Sequence, residues 1–190
     1  MIVGFSGYLR SGKDTAAKAL IAEGYEHRSF AKALKDMAYA LNPIVDSEPY
    51  WVDAMLYTND LRLQEAVDQI GWERAKDEYP EIRALLQRMG TDAGRKVLGE
   101  NIWVDTALRD VYECDQDVVF TDCRFPNEAD GIQDRGGLVI RVNRPGFEPG
   151  LNPHVSETAL DDYDFDYVID NTGGIDDLYR KVREAVGEWA

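Results

Sequence analysis

The chain has 190 residues, 44% of them apolar, and a formal charge of −15 at neutral pH. That length suits one domain with a sizeable core, and the acidic balance argues against a nucleic-acid scaffold, whose footprint would be basic. No apolar stretch approaches the roughly 20 residues that cross a bilayer, so neither a membrane nor a nucleic acid is an expected partner.

The first strand, Ile2 to Ser6, is a nearly continuous apolar run at the very start. No basic segment precedes an apolar core there, so no secretory leader is expected. Cys114 and Cys123 read as packed thiols in a reducing cytoplasm. Directly after the strand comes Gly7-Tyr8-Leu9-Arg10-Ser11-Gly12-Lys13-Asp14-Thr15. Gly7 and Gly12 allow consecutive backbone N–H groups to fold around an anion, Lys13 reaches the outer phosphates, and the helix beginning there aims its positive end at them. The full Gly-x4-Gly-Lys pattern between strand and helix implies nucleoside triphosphate binding. Asp14 stands where Ser or Thr usually meets magnesium; it either approaches the metal through water or caps the helix. Thr15 follows with a hydroxyl and an N–H for phosphate, and Arg10 can lie along the phosphate chain.

A helix is predicted over Lys13 to Ala22, with Ala16, Ala19 and Leu20 on one face and Gly24 beyond its end. A strand at Glu26 to Phe30 and a helix at Ala31 to Leu41 follow; Lys35 on that helix is either a ligand or an ordinary surface lysine. The interval Asn42 to Gly99 reads as helices only, chiefly Asp60 to Ile70 and Ile82 to Met89, either closing over a second substrate or elaborating the packing. Arg83 and Arg88 lie on the second of these, ahead of Gly90-Thr91-Asp92. Trp103 and Asp105 open a helix from Asn101 to Val111, where the indole is either core or a platform for a base.

The strand Asp117 to Thr121 leads into Asp122-Cys123-Arg124, with Glu128 on the first turn of the next helix. A carboxylate there sits at the C-terminal edge of a parallel sheet, where ligands gather; it could hold magnesium-bound water or an acceptor, and Arg124 would point toward phosphate. Arg141 and Arg144 straddle the end of the strand Leu138 to Asn143. From Arg144 a Gly/Pro-rich loop runs to Pro153 and His154, the pattern of a lid over about 144–157. The last strand, Tyr167 to Ile169, is followed by Asn171-Thr172-Gly173-Gly174, which either presents backbone to an adenine edge or simply turns. A helix with Ile175, Leu178, Val182, Ala185, Val186 and Trp189 on one stripe closes the chain. Alternating strand and helix imply right-handed crossovers and a three-layer α/β sandwich on a parallel, roughly five-stranded sheet.

In order along the chain, Ser6-Gly-x-x-Arg-Ser-Gly-Lys-Asp-Thr15, Leu86-Gln87-x-x-Gly90-Thr91-Asp92, Trp103-Val104, Asp122-x-Arg124-x-x-x-Glu128, Val142-x-Arg144-Pro145-Gly146, His154-x-x-Glu157 and Val168-Ile169-x-Asn171 closely resemble the blocks of the deoxynucleoside monophosphate kinases of tailed bacteriophages. The resemblance implies one domain of P-loop kinase type over 1–190, with a core of 1–41 and 100–190 and a helical acceptor-binding insertion of about 42–99. It assigns ATP to Arg10, Gly12, Lys13, Asp14, Thr15, Ala16 and Asn171. It assigns the acceptor monophosphate to Lys35, Arg83, Gly90, Thr91, Trp103, Asp122, Arg124, Glu128 and His154. Transfer chemistry would fall to Lys13, Arg10, Arg124 and Arg144, with Mg2+ near Thr15, Asp14 and Asp122, mostly through water. The setting would be the cytoplasm, that of a host cell if the chain is phage-encoded, and a homodimer is compatible with the sequence. The Asn171-x-Gly173-x4-Leu178 ending also occurs in dephospho-coenzyme A kinases, so a kinase of that or another small metabolite is the alternative.

Overall fold

The computed structural model describes residues 1–109, 111, 116–147 and 155–189. In chain order the elements are β1 (Ile2–Ser6), α1 (Lys13–Ile21), β2 (Glu26–Arg28), α2 (Lys32–Leu41), β3 (Ile44–Val52), β4 (Met55–Arg62), α3 (Leu63–Glu78) and α4 (Pro80–Gln87). A wide-turned π-helical segment (Arg88–Leu98) follows, then α5 (Ile102–Leu108), β5 (Val118–Phe120), α6 (Pro126–Gln133), β6 (Leu138–Asn143), α7 (Val155–Thr158), β7 (Tyr167–Asp170) and α8 (Ile175–Trp189). They form two units, Met1–Phe30 with Val104–Ala190, and Ala31–Trp103. α2 therefore groups with the second unit, which begins at 31 rather than at the expected 42.

In the first unit, β2, β5, β1, β6 and β7 form, in that order, a sheet whose described pairings are all parallel. Every residue of β1 is buried, as a strand covered on both faces requires. Its alternate side chains enter two separate cores. Val3 and Phe5 join Val119, Ile140 and Val142 against Ala16 and Leu20 of α1 and Leu178 and Val182 of α8. Ile2 joins Val118, Phe120 and Val139 against Leu108 of α5 and Ile132 of α6. Because all five strands run one way, the residues after β1, β5, β6 and β7 emerge at one edge of the sheet. β2 and its neighbour β5 are shorter than the sequence suggests, since Ser29, Phe30, Asp117 and Thr121 leave the ladder, whereas the edge strand β7 runs one residue further, to Asp170.

The second unit differs from the all-helical expectation. Between Ile44 and Arg62 the chain makes an antiparallel hairpin, with Tyr50 opposite Tyr57 and Val52 opposite Met55. Its turn, Asp53-Ala54, has positive φ at both residues (48° and 63°), the handedness that two-residue hairpin turns need. The helix expected at 60–70 starts only at Leu63, after β4, and the one expected at 82–89 is α4 running on into the π-helical segment. Ala38, Val45, Leu63, Ala66, Ala75 and Ile82 form this unit's core. Among the described residues no helix is long and apolar enough to cross a membrane.

Candidate active site

The loop after β1 is braced from inside. The Tyr8 carbonyl accepts hydrogen bonds from the Ser11 N–H (3.1 Å) and from Lys13 Nζ (2.9 Å). α1 starts at Lys13, and the first of its backbone bonds runs from Ala16 N–H to the Gly12 carbonyl (2.8 Å). The amides of its first turn therefore have no partner within the helix and carry its positive end. Ser11 is 1% exposed and its Oγ has no partner among the described residues. Burial lowers the Lys13 ammonium below its ordinary pKa; the charges of Arg124 and Arg141 add to this, while Asp14 and Glu157 oppose it. A crowded, half-desolvated cation beside unpaired amides is an environment completed by an anion.

Two of the expected partners reach this loop. Asn171, just past β7, donates from Nδ2 to the Ser11 carbonyl (2.9 Å) and from its N–H to the Asn143 carbonyl (2.7 Å). Arg144, just past β6, lines with Gly12, Thr15 and Asn171 a hollow of about 320 Å³ that Ile175 and Leu178 close. The Arg144 guanidinium lies 4.6 Å from the centre of the Phe147 ring. Asn171 thus holds the loop in shape. Ile175 and Leu178, which the sequence offers only as core positions of α8, form the apolar wall. Arg10 is exposed in the loop at φ 64°, and Asp14 is exposed in the first turn of α1.

Arg141 has a different task from Arg144. It is 8% exposed, pairs with Asp161 (3.2 Å), bonds Asn143 Oδ1 (3.3 Å) and stacks on Tyr8 (4.5 Å). The Tyr8 hydroxyl also donates to Asp161 (2.8 Å). This network anchors the start of the loop. Sequence reasoning missed it because Asp161 sits in a run of acidic residues that reads as a solvated surface.

At the end of β5, Asp122 accepts from the Ser29 hydroxyl (2.6 Å) and from the Phe30 N–H (3.0 Å), tying the chain beyond β2 to the sheet edge. Arg124 pairs with Glu157 (3.2 Å) and remains 44% exposed. Glu128 does not fit the expectation of an acceptor contact. It is 3% exposed, and its Oε2 accepts from the N–H groups of Arg124 (2.7 Å) and Phe125 (3.1 Å), capping its own helix. Glu128→Ala strands both part-buried donors and is expected to cost about 1–2 kcal/mol of stability; urea unfolding against Glu128→Gln, which keeps an acceptor oxygen, measures it. Cys123 is buried and its thiol is pushed well up in pKa by that burial; Cys114 lies outside the described residues.

In the second unit, Lys35 on α2 pairs with Glu73 (3.7 Å), and Arg83 on α4 pairs with Asp77 (3.0 Å). Gly90 and Thr91 lie on the π-helical segment, a wide turn of the kind often found at functional sites. Trp103, read from the sequence as either core or a platform for a base, is buried in the structure. It is 5% exposed, its indole N–H donates to the Gly90 carbonyl (2.9 Å), and its ring packs so closely on Gly94 that a Cβ there would come within 2.4 Å. His154 and half of the expected lid, 148–154, lie outside the described residues.

A sequence model of a family described as "Deoxynucleotide monophosphate kinase" matches residues 53–182. The chain is 30% identical, over 98% of its length and 96% of the other's, to a putative deoxynucleotide monophosphate kinase of Acanthamoeba polyphaga mimivirus. It is 32% identical over 64% of its length to the deoxynucleotide monophosphate kinase of Escherichia phage RB69, and 29% identical over 55% to that of Enterobacteria phage T4. These matches span 49% and 45% of the two phage proteins. The family match starts beyond the phosphate loop, and the mimivirus protein extends the likeness over nearly the whole chain. The chain belongs to the deoxynucleotide monophosphate kinase family.

Proposed function

We propose that this protein transfers the γ-phosphoryl group of ATP to a deoxynucleoside 5′-monophosphate, releasing the diphosphate and ADP, as a cytoplasmic supplier of DNA precursors. The observation that carries the reading is the convergence of Lys13, Arg124 and Arg144, from beyond three different strands, on a loop whose helix start leaves first-turn amides without a helical partner. Such transfer needs little covalent help from a protein; in-line attack by the acceptor phosphate requires positioning and neutralisation of spreading charge. Lys13 and Arg10 hold the transferred group, Arg144 approaches from beyond β6, and Arg124 faces the acceptor. The hollow walled by Ile175 and Leu178 receives the nucleoside end of ATP.

Mg2+ keeps several waters and takes one or two protein oxygens plus substrate phosphates, and the Asp14 carboxylate and Thr15 hydroxyl at the start of α1 are oxygen donors of that kind that would hold it. The two oxygens of Asp122 are already engaged with Ser29 and Phe30. The ion would supply positive charge against the outer phosphates. On the acceptor side the proposal retains Lys35, Arg83 and Thr91, and leaves Trp103 and Glu128 to the framework.

An ADP-release assay with Mg-ATP over dAMP, dCMP, dGMP, dTMP, 5-hydroxymethyl-dCMP, the ribonucleotides and dephospho-coenzyme A tests this. ADP release is expected with at least one deoxynucleotide and not with dephospho-coenzyme A. ADP release with none of the deoxynucleotides would overturn the proposal.

A further inference from the structure

α3 is not one helix. At Gly71 the backbone takes φ 77°, ψ 160°, so the chain turns and a second helical piece begins at Trp72. Only glycine adopts that conformation without strain. Ala75, fully buried, fixes this piece to the unit's core, and Trp72 packs against the same core. The turn thereby presents Glu73 and Lys76 on successive turns toward Lys35 of α2.

The result is an arrangement of charges that folding alone does not call for. Lys76 Nζ lies 2.7 Å from Glu73 Oε2 and 2.8 Å from Oε1, and Lys35 Nζ lies 3.7 Å from Oε1. Lys35 is also 5.8 Å from the centre of the Trp72 ring. Exposure is unequal: Lys76 is 18% exposed and Lys35 28%, whereas Glu73 is 79% exposed. The cations are recessed and the carboxylate lies over them. Burial lowers the Lys76 pKa, its bond to Glu73 opposes that, and Lys35 and Arg83 lower it further. Burial works to raise the Glu73 carboxyl, but the Lys76 bond and the charges of Lys76, Lys35 and Arg83 hold it below its usual range.

Two ammonium groups, from α2 and α3, thus share one exposed, singly charged carboxylate, and Arg83 of α4, itself paired with Asp77 (3.0 Å), adds its charge nearby. An exposed ion pair contributes only about 0–1 kcal/mol to stability, so Glu73 is easily moved aside. A phosphate monoester brings close to two charges and three strong acceptor oxygens, and it neutralises the recessed ammonium groups better than one carboxylate can. We infer that Lys76, with Lys35 and Arg83, forms an anion site for the 5′-phosphate of the acceptor nucleotide, and that Glu73 fills this site until the phosphate displaces it. The identity of the ligand rests on the kinase reading above; the anion site itself does not. Lys76 is then an acceptor-binding residue that no motif in the sequence announces, and Glu73 is a built-in competitor that sets acceptor affinity.

Calorimetric titration of the full chain with inorganic phosphate and with the four common dNMPs, in wild type, Glu73→Gln and Lys76→Gln, tests the inference. A contribution from the phosphate loop is common to all three proteins and cancels. Glu73→Gln, a change at an exposed side chain that leaves the fold alone, is expected to tighten both kinds of anion about three- to tenfold, and Lys76→Gln to weaken them by about tenfold or more. ATP affinity should stay put in both. An active kinase whose phosphate and dNMP affinities ignore both substitutions would overturn the anion site and leave the kinase reading intact. A chain that yields no dNDP, yet answers inorganic phosphate as described, would overturn the kinase reading and leave the anion site standing.

Discussion

Lys13→Met is expected to remove about 3 kcal/mol of transition-state stabilisation, a loss of a hundredfold or more in turnover, without unfolding the protein. The two halves of that expectation have one cause. Lys13 is recessed in the loop, with Arg124 and Arg141 close enough to disfavour its charge. That environment suits a group waiting for phosphate and is a poor one for a bare ammonium. Methionine keeps the stem and removes the charge. The lost bond to the Tyr8 carbonyl, 2.9 Å in the structure, is worth about 1 kcal/mol, and relief of the crowded cation offsets it. The melting temperature without ligand should therefore stay within about 2 °C of wild type.

The sign with pH gives a second check on the same variant. The folded protein holds the Lys13 pKa below its ordinary 10.5, so in that alkaline window the unfolded chain binds more protons. Wild-type stability gains from this group as pH rises toward 10.5, whereas the methionine variant has no such gain. The stability of Lys13→Met relative to wild type should consequently decline from pH 7 to pH 10 in paired melts. Unchanged turnover in a folded Lys13→Met protein would remove the loop from the chemistry.

What could be read from the chain, and what could not, divides along a physical line. β1 and its loop were legible because a strand buried on both faces leaves an unbroken apolar run, and because an anion-binding turn constrains glycine at two fixed places. α8 showed its stripe for the same local reason. The hairpin was not legible. Its turn, Asp53-Ala54, uses positive φ without glycine, and the charged residues of β3 and β4 hide their alternation. Trp103 was ambiguous because its burial depends on the Gly90 carbonyl, which accepts its indole N–H, and on Gly94, whose lack of a side chain makes room for an indole contributed by a separate helix. Glu128 did carry a usable local sign: it is the third residue of a helix opened by Pro126, the place of a reciprocal cap. The Lys35–Glu73–Lys76 cluster was invisible: Glu73 and Lys76 are ordinary neighbours three residues apart on one helical piece, and only the fold brings Lys35 of α2 beside them.

Gly7→Ala should be the most damaging small substitution in the chain. Gly7 has φ 144°, a region that side-chain-bearing residues rarely enter. A Cβ there would lie 2.4 Å from the Val142 carbonyl oxygen and 2.6 Å from Ser11 Oγ. The hydroxyl could rotate away, but the carbonyl belongs to β6, which is held between β1 and β7, with Val142 in register with Ile169. Relief must then come from the loop, which would lift from the sheet edge and misdirect the first-turn amides of α1. Strain and overpacking together should cost on the order of 3 kcal/mol, a fall in melting temperature on the order of 10 °C. The stabilising shift given by Mg-ATP should vanish with it. Gly187→Ala is the matching control: it lies within α8, a Cβ there meets nothing within 4 Å, and alanine in a helix should be neutral or slightly stabilising. A Gly7→Ala protein that melts with wild type and still shifts with Mg-ATP would mean that the close approach of loop to β6 does not set the geometry of the phosphate site.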